Sequence, residues 1–250
     1  MTSEPTTQDR RPHYAVEFAD DYDRWFGKPG VSGATVDALE ALAGEGAVLE
    51  LGIGTGRIAL PLRARGLDVH GIDASEAMVG RLRAKPGGVD LPVTIGDFSR
   101  VPVPDGDVFS LVYLAAGTFF ELREQADQAR CFARVAQHLA PGGVFVFDSH
   151  VPEALAVAAT GSQVVSEGND HLVLCYRRID PSVQRYSSHY VIHENDRTRR
   201  MRVEFRYAGT GELDLMAHQA GLRLKERWGS WAGTPFTRDS TYHVSVYESR

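Results

Sequence analysis

Between Val48 and Ser149 the chain alternates short apolar runs with amphipathic helical patterns, and this alternation constrains the fold more than any other feature. "AVLEL" reads as a buried strand and residues 57 to 65 as the helix after it. Pro61 sits about a turn inside that helix and predicts a bend near its start. "DVHGID" is a second strand, and "SEAMVGRLRAK" a helix that begins at Ser75 and stops before Pro86-Gly87-Gly88. "PVTIGDF" and "DVFSLVYLAA" are the third and fourth strands. Residues 124 to 139 read as a helix with Phe132, Val135, Ala136 and Leu139 on one face, ended by "APGG"; "VFVFDS" is the fifth strand. Strands that alternate with helices are joined by right-handed crossovers. The expectation is therefore α/β: a Rossmann-like, doubly wound, seven-stranded and mostly parallel sheet with helices on both faces.

Both ends of this pattern are elaborated. Residues 1–12 are polar and read as a disordered tail. Tyr14, Phe18, Tyr22 and Trp25 then fall on one face of a helix, and a second short helix covers residues 33 to 43. After residue 160 the pattern changes: "HLVLCYRRI", "VQRYSSHYVIHE" and "TRRMRVEFRYA" are strand-like, with turn-like breaks at "DPS" and "ENDR". They predict a three-stranded antiparallel insert over 161–208 with one wet face, serving as a substrate roof or a dimer surface. A helix, "GELDLMAHQA", ends at Gly221, and "LRLKERWG" and "YHVSVYE" return to the main sheet. Residues 13–160 and 209–250 thus form the main domain.

Charge narrows the partners. A net charge of -6 gives no electrostatic footprint for nucleic acid or an anionic membrane surface. No apolar segment approaches the roughly 20 residues that cross a bilayer, and the N-terminus lacks the apolar core of a signal peptide. Cys131 and Cys175 show no ligand spacing and read as buried hydrophobes of a reduced, cytoplasmic protein. His189 and His193 share a strand face, but no acidic or sulfur ligands accompany them, so no metal site is expected. "HENDRTRRMR" reads as a solvated edge that discourages strand pairing.

The chemistry concentrates at the carboxyl ends of the parallel strands, where open α/β sheets bind ligands. After the first strand comes "ELGIGTGR", with Gly52, Gly54 and Gly56 as G-x-G-x-G; the third glycine of a dinucleotide loop is replaced by Arg57. That disfavours a pyrophosphate and hence a nicotinamide-dependent oxidoreductase. Glu50 ends strand 1, Asp73 strand 2 and Asp97 strand 3. Three carboxylates at successive strand ends suit a ligand with an ammonium, a ribose and an adenine, and suit two phosphates badly.

On these residues the chain resembles the class I S-adenosylmethionine (SAM) dependent methyltransferases, in the small-molecule branch that includes natural-product and amino-sugar N-methyltransferases. "ELGIGTGR" is similar to the family's first motif, "GIDAS" to its second, "IGDF" to its third and "LAPGG" to the segment before strand 5. The resemblance implies SAM as cofactor and S-adenosylhomocysteine as product. It implies that the backbone of Gly52, Gly54, Thr55 and Gly56 passes beneath the methionine part, with Glu50 toward its ammonium and Arg57 toward its carboxylate. Asp73 would hold the ribose, Ala74 and Met78 would pack on adenine, and Asp97 and Phe98 would frame its other edge. Leu114, Ala115 and Ala116 would line the sulfonium, and Tyr22 and Trp25 would close over the cofactor.

His150, after strand 5 in "DSHVP", is the candidate for substrate contact and catalysis. The function so implied is methyl transfer to a small-molecule acceptor, an amine nitrogen in preference to oxygen or carbon, in secondary-metabolite biosynthesis by a possible homodimer. A SAM-binding protein without transfer activity is the alternative, since methyl transfer rests largely on aligning the acceptor and needs no invariant catalytic side chain.

Overall fold

In the computed structural model, which describes residues 17–26, 31–104 and 106–250, the sheet is built around a strand with no exposed side chain. This strand, β1 (Val48–Leu51), has β4 (Phe109–Leu114) on one side and β2 (Val69–Asp73) on the other, both parallel to it. β3 (Val93–Ile95) lies beyond β2, and β5 (Leu139–His150) beyond β4. The last two strands, β10 (Leu222–Trp228) and β11 (Tyr242–Ser249), complete the order β10-β11-β5-β4-β1-β2-β3, with β11 antiparallel to both neighbours. Seven strands and this mostly parallel pattern are those read from the sequence. "APGG", expected to end a helix, lies within β5, where the pairing with β4 shifts register between Phe109 and Leu111.

Alternation along the strands feeds two cores. Leu49, Leu51, Val112, Leu114, Phe145, Phe147 and Tyr247 point to one face. There they meet α5 (Gln125–Gln137), through Cys131, Phe132 and Val135, and α7 (Thr210–Gln219), through Leu213, Met216 and Ala217. Val48, Leu111, Tyr113, Val144, Val146, Val244 and Val246 face the other way. They pack on α2 (Val31–Ala43), through Val36, Leu39 and Ala43, and on α3 (Ala59–Ala64), through Ala59 and Leu62. The α3 helix begins at Ala59, so Pro61 lies in its first turn, where a missing N–H removes no intrahelical bond. α4 (Glu76–Arg83) starts, as expected, at Ser75, whose Oγ accepts the Met78 N–H at 3.3 Å.

The insert differs from expectation by one strand. It is a four-stranded antiparallel meander, β6 (Ser162–Glu167), β7 (His171–Asp180), β8 (Arg185–Glu194) and β9 (Arg197–Arg206), reached through α6 (Pro152–Ala158). β6 escapes sequence reading because "SQVVSE" is mostly exposed and has no apolar alternation. Val173, Ile192, Met201 and Val203 form the inner face and pack on Phe18 and on Trp25 of α1 (Tyr22–Phe26). Tyr14 and the tail at 1–12 lie outside the described residues.

Arg206 fastens the insert to the main domain. It is 6% exposed and donates to Glu212 Oε1 at 2.7 Å, Gln128 Oε1 at 2.6 Å and Gln184 Oε1 at 3.0 Å, joining β9 to α7, α5 and the β7–β8 turn. Arg199 departs from the solvated-edge reading of the "HENDRTRRMR" run. Its guanidinium lies 4.8 Å from the Trp25 ring centre and pairs with Asp21 at 2.7 Å and Glu194 at 3.0 Å. Cys131 and Cys175 are buried free thiols. Among the described residues no helix is long and apolar enough to cross a membrane, and no cluster of three His, Cys, Asp or Glu could hold a metal ion.

Candidate active site

The turn between β1 and α3 is backbone-dominated because its glycines take conformations other residues resist. Gly52, Gly54 and Gly56 have φ of 76°, 55° and 75°. Two of them are needed for packing: a Cβ on Gly52 would come 2.7 Å from Thr118 Cγ2, and one on Gly56 would come 2.9 Å from Leu82 Cδ1. Gly54 is different. A Cβ there would meet only the Gly52 carbonyl oxygen, at 4.0 Å, so this glycine faces open space.

Asp73 fixes that loop from the end of β2. One carboxylate oxygen accepts the Gly54 N–H at 2.7 Å and the other the Ser75 N–H at 2.7 Å. Burial raises its pKa against these backbone donors. Asp97, after β3, accepts the Ser99 N–H at 2.9 Å and starts the turn carrying Phe98, whose ring edge reaches 3.9 Å from the Gly52 Cβ position. Ala74 and Met78 follow Asp73, with Met78 packed against Ala19, Ala77 and Tyr22. At the end of β1, Glu50 is 5% exposed and its Oε2 is buried without a hydrogen-bond partner. Burial pushes its pKa up to about 8, opposed by the nearby Tyr113 hydroxyl, Arg57 and the Ala59 N–H. The Tyr113 hydroxyl beside it is buried as well, and its pKa is raised by burial and by the Glu50 charge.

The ends of β4 and β5 are held by one carboxylate. Asp148 is 2% exposed and accepts the N–H groups of Ala116 at 3.0 Å and Gly117 at 2.7 Å, the Trp231 indole N–H at 2.7 Å, and the Tyr242 hydroxyl. Those bonds hold Ala116 and Gly117 at φ of 62° and 75°. Leu114 is in the core, Ala115 is 9% exposed, and Ala116 is open to solvent at the strand end. Two residues beyond Asp148, His150 stands edge-on to Tyr242 at 5.7 Å. Burial, then the charge of Arg177, lowers its pKa, so the ring is neutral at pH 7.

The α1 helix crosses the open side of the cleft. Asp23 accepts the Thr55 hydroxyl at 2.6 Å and pairs with Lys85 at 2.5 Å, and Lys85 donates to the Thr55 carbonyl at 2.7 Å. Arg57, expected toward a cofactor carboxylate, donates Nη1 to the Phe26 carbonyl at 2.8 Å. Tyr22 is within electrostatic reach of Arg57, Glu121, Asp73 and Asp23, and burial pushes its pKa up to about 12. Trp25, expected beside Tyr22 over the cofactor, sits instead in the insert core at 1% exposure, 5.7 Å from the Phe18 ring. Sequence reading also missed the Asp23–Thr55–Lys85 cluster and the donors to Asp148. Trp231 and Tyr242 are too distant from Asp148 in the chain for any local pattern to mark them.

A family model described as a methyltransferase domain matches residues 48–143. The cypemycin N-terminal methyltransferase of a Streptomyces species is 29% identical over 203 residues, covering 80% of this chain and 82% of that protein. The structure of the CcbJ methyltransferase from Streptomyces caelestis superposes with a TM-score of 0.84 at 36% identity, covering 95% of this chain and 98% of that one. The chain belongs to the class I SAM-dependent methyltransferases. CalS10, an amino pentose methyltransferase from Micromonospora solved with SAM bound, shares the fold at a TM-score of 0.67 and 19% identity, over 98% of both chains.

The residues of this methyltransferase fit the cofactor. The outward-facing Gly54 leaves room for a ligand against the backbone, and the unpaired Glu50 carboxylate oxygen calls for a cationic donor such as the ammonium of SAM. The candidate residues at the ends of the five parallel strands lie along one edge of the sheet; of the two candidates in α1, Tyr22 packs by Met78 and Trp25 turns into the insert core.

Proposed function

We propose that this methyltransferase acts on a small molecule and that the acceptor atom is an amine nitrogen. Bound SAM supplies a methyl group on a sulfonium, already an excellent leaving group. What the chain must add is the orientation of the acceptor and the exclusion of water. In this reading Glu50 takes the cofactor ammonium, Asp73 the ribose hydroxyls, Ala74, Met78, Asp97 and Phe98 the adenine, and Arg57 the carboxylate. Gly52, Gly54, Thr55 and Gly56 form the floor, Leu114, Ala115 and Ala116 the sulfonium wall, and Tyr22 the roof.

The observation that carries the amine reading is the saturation of Asp148. A hydroxyl acceptor must usually lose its proton to a base, while an amine attacks once neutral. Asp148 is the carboxylate at the β5 end and has both oxygens committed to four donors. Of the other two bases at this end of the sheet, Glu121 lies within electrostatic reach of Tyr22 and Tyr186, and His150 is held neutral and able to accept a proton from an incoming ammonium. The N-terminal methylation named for the cypemycin relative points the same way. We place the enzyme in the cytoplasm, in secondary metabolism, with the insert as substrate roof or dimer surface.

The test is to incubate the protein with methyl-labelled SAM and cell extract and to follow the label by mass spectrometry. The label should appear on nitrogen in a small molecule, with S-adenosylhomocysteine formed in equal amount. Label on oxygen or carbon defeats the amine reading, and label confined to macromolecules defeats the small-molecule one.

A further inference from the structure

Among the described residues, the inner face of the insert carries a cation that no carboxylate pairs with, Arg177. On β7, Val173, Cys175, Arg177 and Ile179 alternate onto the face turned toward the main domain. Val173 and Cys175 are buried, and Ile179 packs against the main core. Arg177 lies between them, opposite Ser188 of β8, with the Cys175–Tyr190 and Ile179–Tyr186 pairs on either side. Its Nη1 donates to Gln163 Oε1 at 3.3 Å, while its Nε is fully buried and has no hydrogen-bond partner.

Other sheet arginines that are partly or fully buried are treated differently. Arg199 pairs with Asp21 and Glu194, Arg206 with Glu212, and Arg227 with Asp214. Among the described residues Arg177 forms no salt bridge. Arg177 is half-buried, and the burial of its Nε without a partner is unfavourable unless something else compensates. Its charge reaches Tyr186 and Tyr190 beside it and His150 across the cleft. The helix α6, which starts two residues after His150, packs on β7, so Arg177 and the end of β5, where the acceptor of the proposed reaction belongs, lie on neighbouring elements.

We propose that the methyl acceptor carries an oxyanion, a carboxylate or a phosphate monoester, that docks on Arg177. The guanidinium offers its donors in a fixed plane, and its half-exposed outer end matches either group with two parallel N–H···O bonds. Tyr186, Tyr190 and Ser188 frame the site, and the Glu121 carboxylate lies within electrostatic reach of Tyr186. The acceptor is thus both an amine and an acid, the amine toward the sulfonium wall and the acid toward the insert. This rests on the small-molecule reading above and narrows its substrate class.

The test uses the full chain saturated with S-adenosylhomocysteine and labelled with nitrogen-15 arginine. The Arg177 Nε–H resonance is identified by its loss in Arg177→Lys. Benzoate and phenyl phosphate are titrated as probes, with benzyl alcohol as the neutral control. At least one anion should shift this resonance saturably and the alcohol should not; the tighter anion says whether a carboxylate or a phosphate is the natural group. Arg177→Gln should weaken that anion at least about tenfold and leave S-adenosylhomocysteine affinity unchanged. No shift with either anion, an equal shift with the alcohol, or full anion affinity in Arg177→Gln overturns the proposal.

The wild-type titration holds even if Arg177→Gln folds poorly. Transfer of label to an acceptor with no acidic group would overturn the proposal while leaving the proposed function intact. Anion binding at Arg177 with no labelled small molecule would do the reverse.

Discussion

The two walls of the cleft recognise ligands by different means. The wall formed by the ends of β1 to β4 is made of backbone: three glycines at positive φ, and a carboxylate, Asp73, whose oxygens already accept two backbone N–H groups. The wall formed by the insert is made of side chains on a meander, Arg177, Tyr186 and Tyr190 among them, set opposite His150. A backbone wall suits a ligand common to a whole family, because it varies little with sequence. A side-chain wall can change its ligand by changing one residue in two along a strand.

The largest expected effect breaks the backbone wall. Asp73→Ala should weaken both SAM and S-adenosylhomocysteine by at least about 100-fold, since each bond to a charged acceptor contributes roughly 1.5–3 kcal/mol. The same change releases the Gly54 and Ser75 N–H groups, so the loop should loosen as well. Isothermal calorimetry reads this directly. Unchanged affinity would remove the ribose from Asp73.

Next comes the join between the walls. Arg206 is buried with Glu212, Gln128 and Gln184, and Arg206→Ala leaves Glu212 without its cation. The expected cost is about 3 kcal/mol or more, a fall in thermal midpoint of roughly 6–12 °C for a domain of this size. Affinity for S-adenosylhomocysteine should stay within about threefold if the walls are energetically separate. A parallel loss of stability and affinity would show that the insert holds the cofactor wall in shape.

Glu50 sharpens the comparison from inside the backbone wall. Its pKa in the fold, about 8, lies above the ordinary carboxylate value of 4.5. The folded protein therefore prefers the neutral acid. The resulting stability is full below the unfolded value and is lost as pH rises from there through about 8. Glu50→Gln keeps the neutral form at every pH, so at pH 9 the ligand-free variant should melt a few degrees above the parent. It should also bind SAM more weakly, by about tenfold, having lost the charge that meets the ammonium. Melting curves at pH 5 and pH 9 check the first expectation, and a variant no more stable at pH 9 would mean that ionising Glu50 costs the fold nothing.

The same contrast explains what the sequence reveals. Positive-φ glycines and strand-end acids leave a local signature, and so Glu50, the glycine loop, Asp73 and Asp97 are legible within a few residues of one another. The sheet is legible too, because buried parallel strands are apolar throughout and their helices carry a clear period. β6 is not, since an exposed edge strand has no reason to alternate. Nor is the true place of Trp25: the helical stripe that contains it is visible, but which of two ligand-facing or core-facing surfaces it meets depends on the insert folding over it. The sequence does not show that Asp148 is occupied, because two of its donors, Trp231 and Tyr242, come from more than 80 residues further along the chain. Arg177 looks like any arginine of a basic strand until the pleat turns it inward.

The smallest expected effect lies where the walls meet, at His150. Burial and the Arg177 charge lower its pKa, so it is a neutral proton acceptor across the physiological range. An amine acceptor arrives largely as its ammonium at neutral pH and must lose one proton before it attacks. His150→Ala should therefore lower turnover by less than about a hundredfold at pH 7, the lower end of what general bases contribute. The deficit should shrink as pH rises, because the amine then deprotonates in solution and no longer needs the imidazole. Initial rates between pH 7 and pH 10 would show the two curves converging. A loss beyond about a thousandfold that persists at high pH would mark His150 as an essential base. The acceptor atom would then be a hydroxyl oxygen or a carbon, and His150 at the end of β5, not the saturated Asp148, would carry the chemistry.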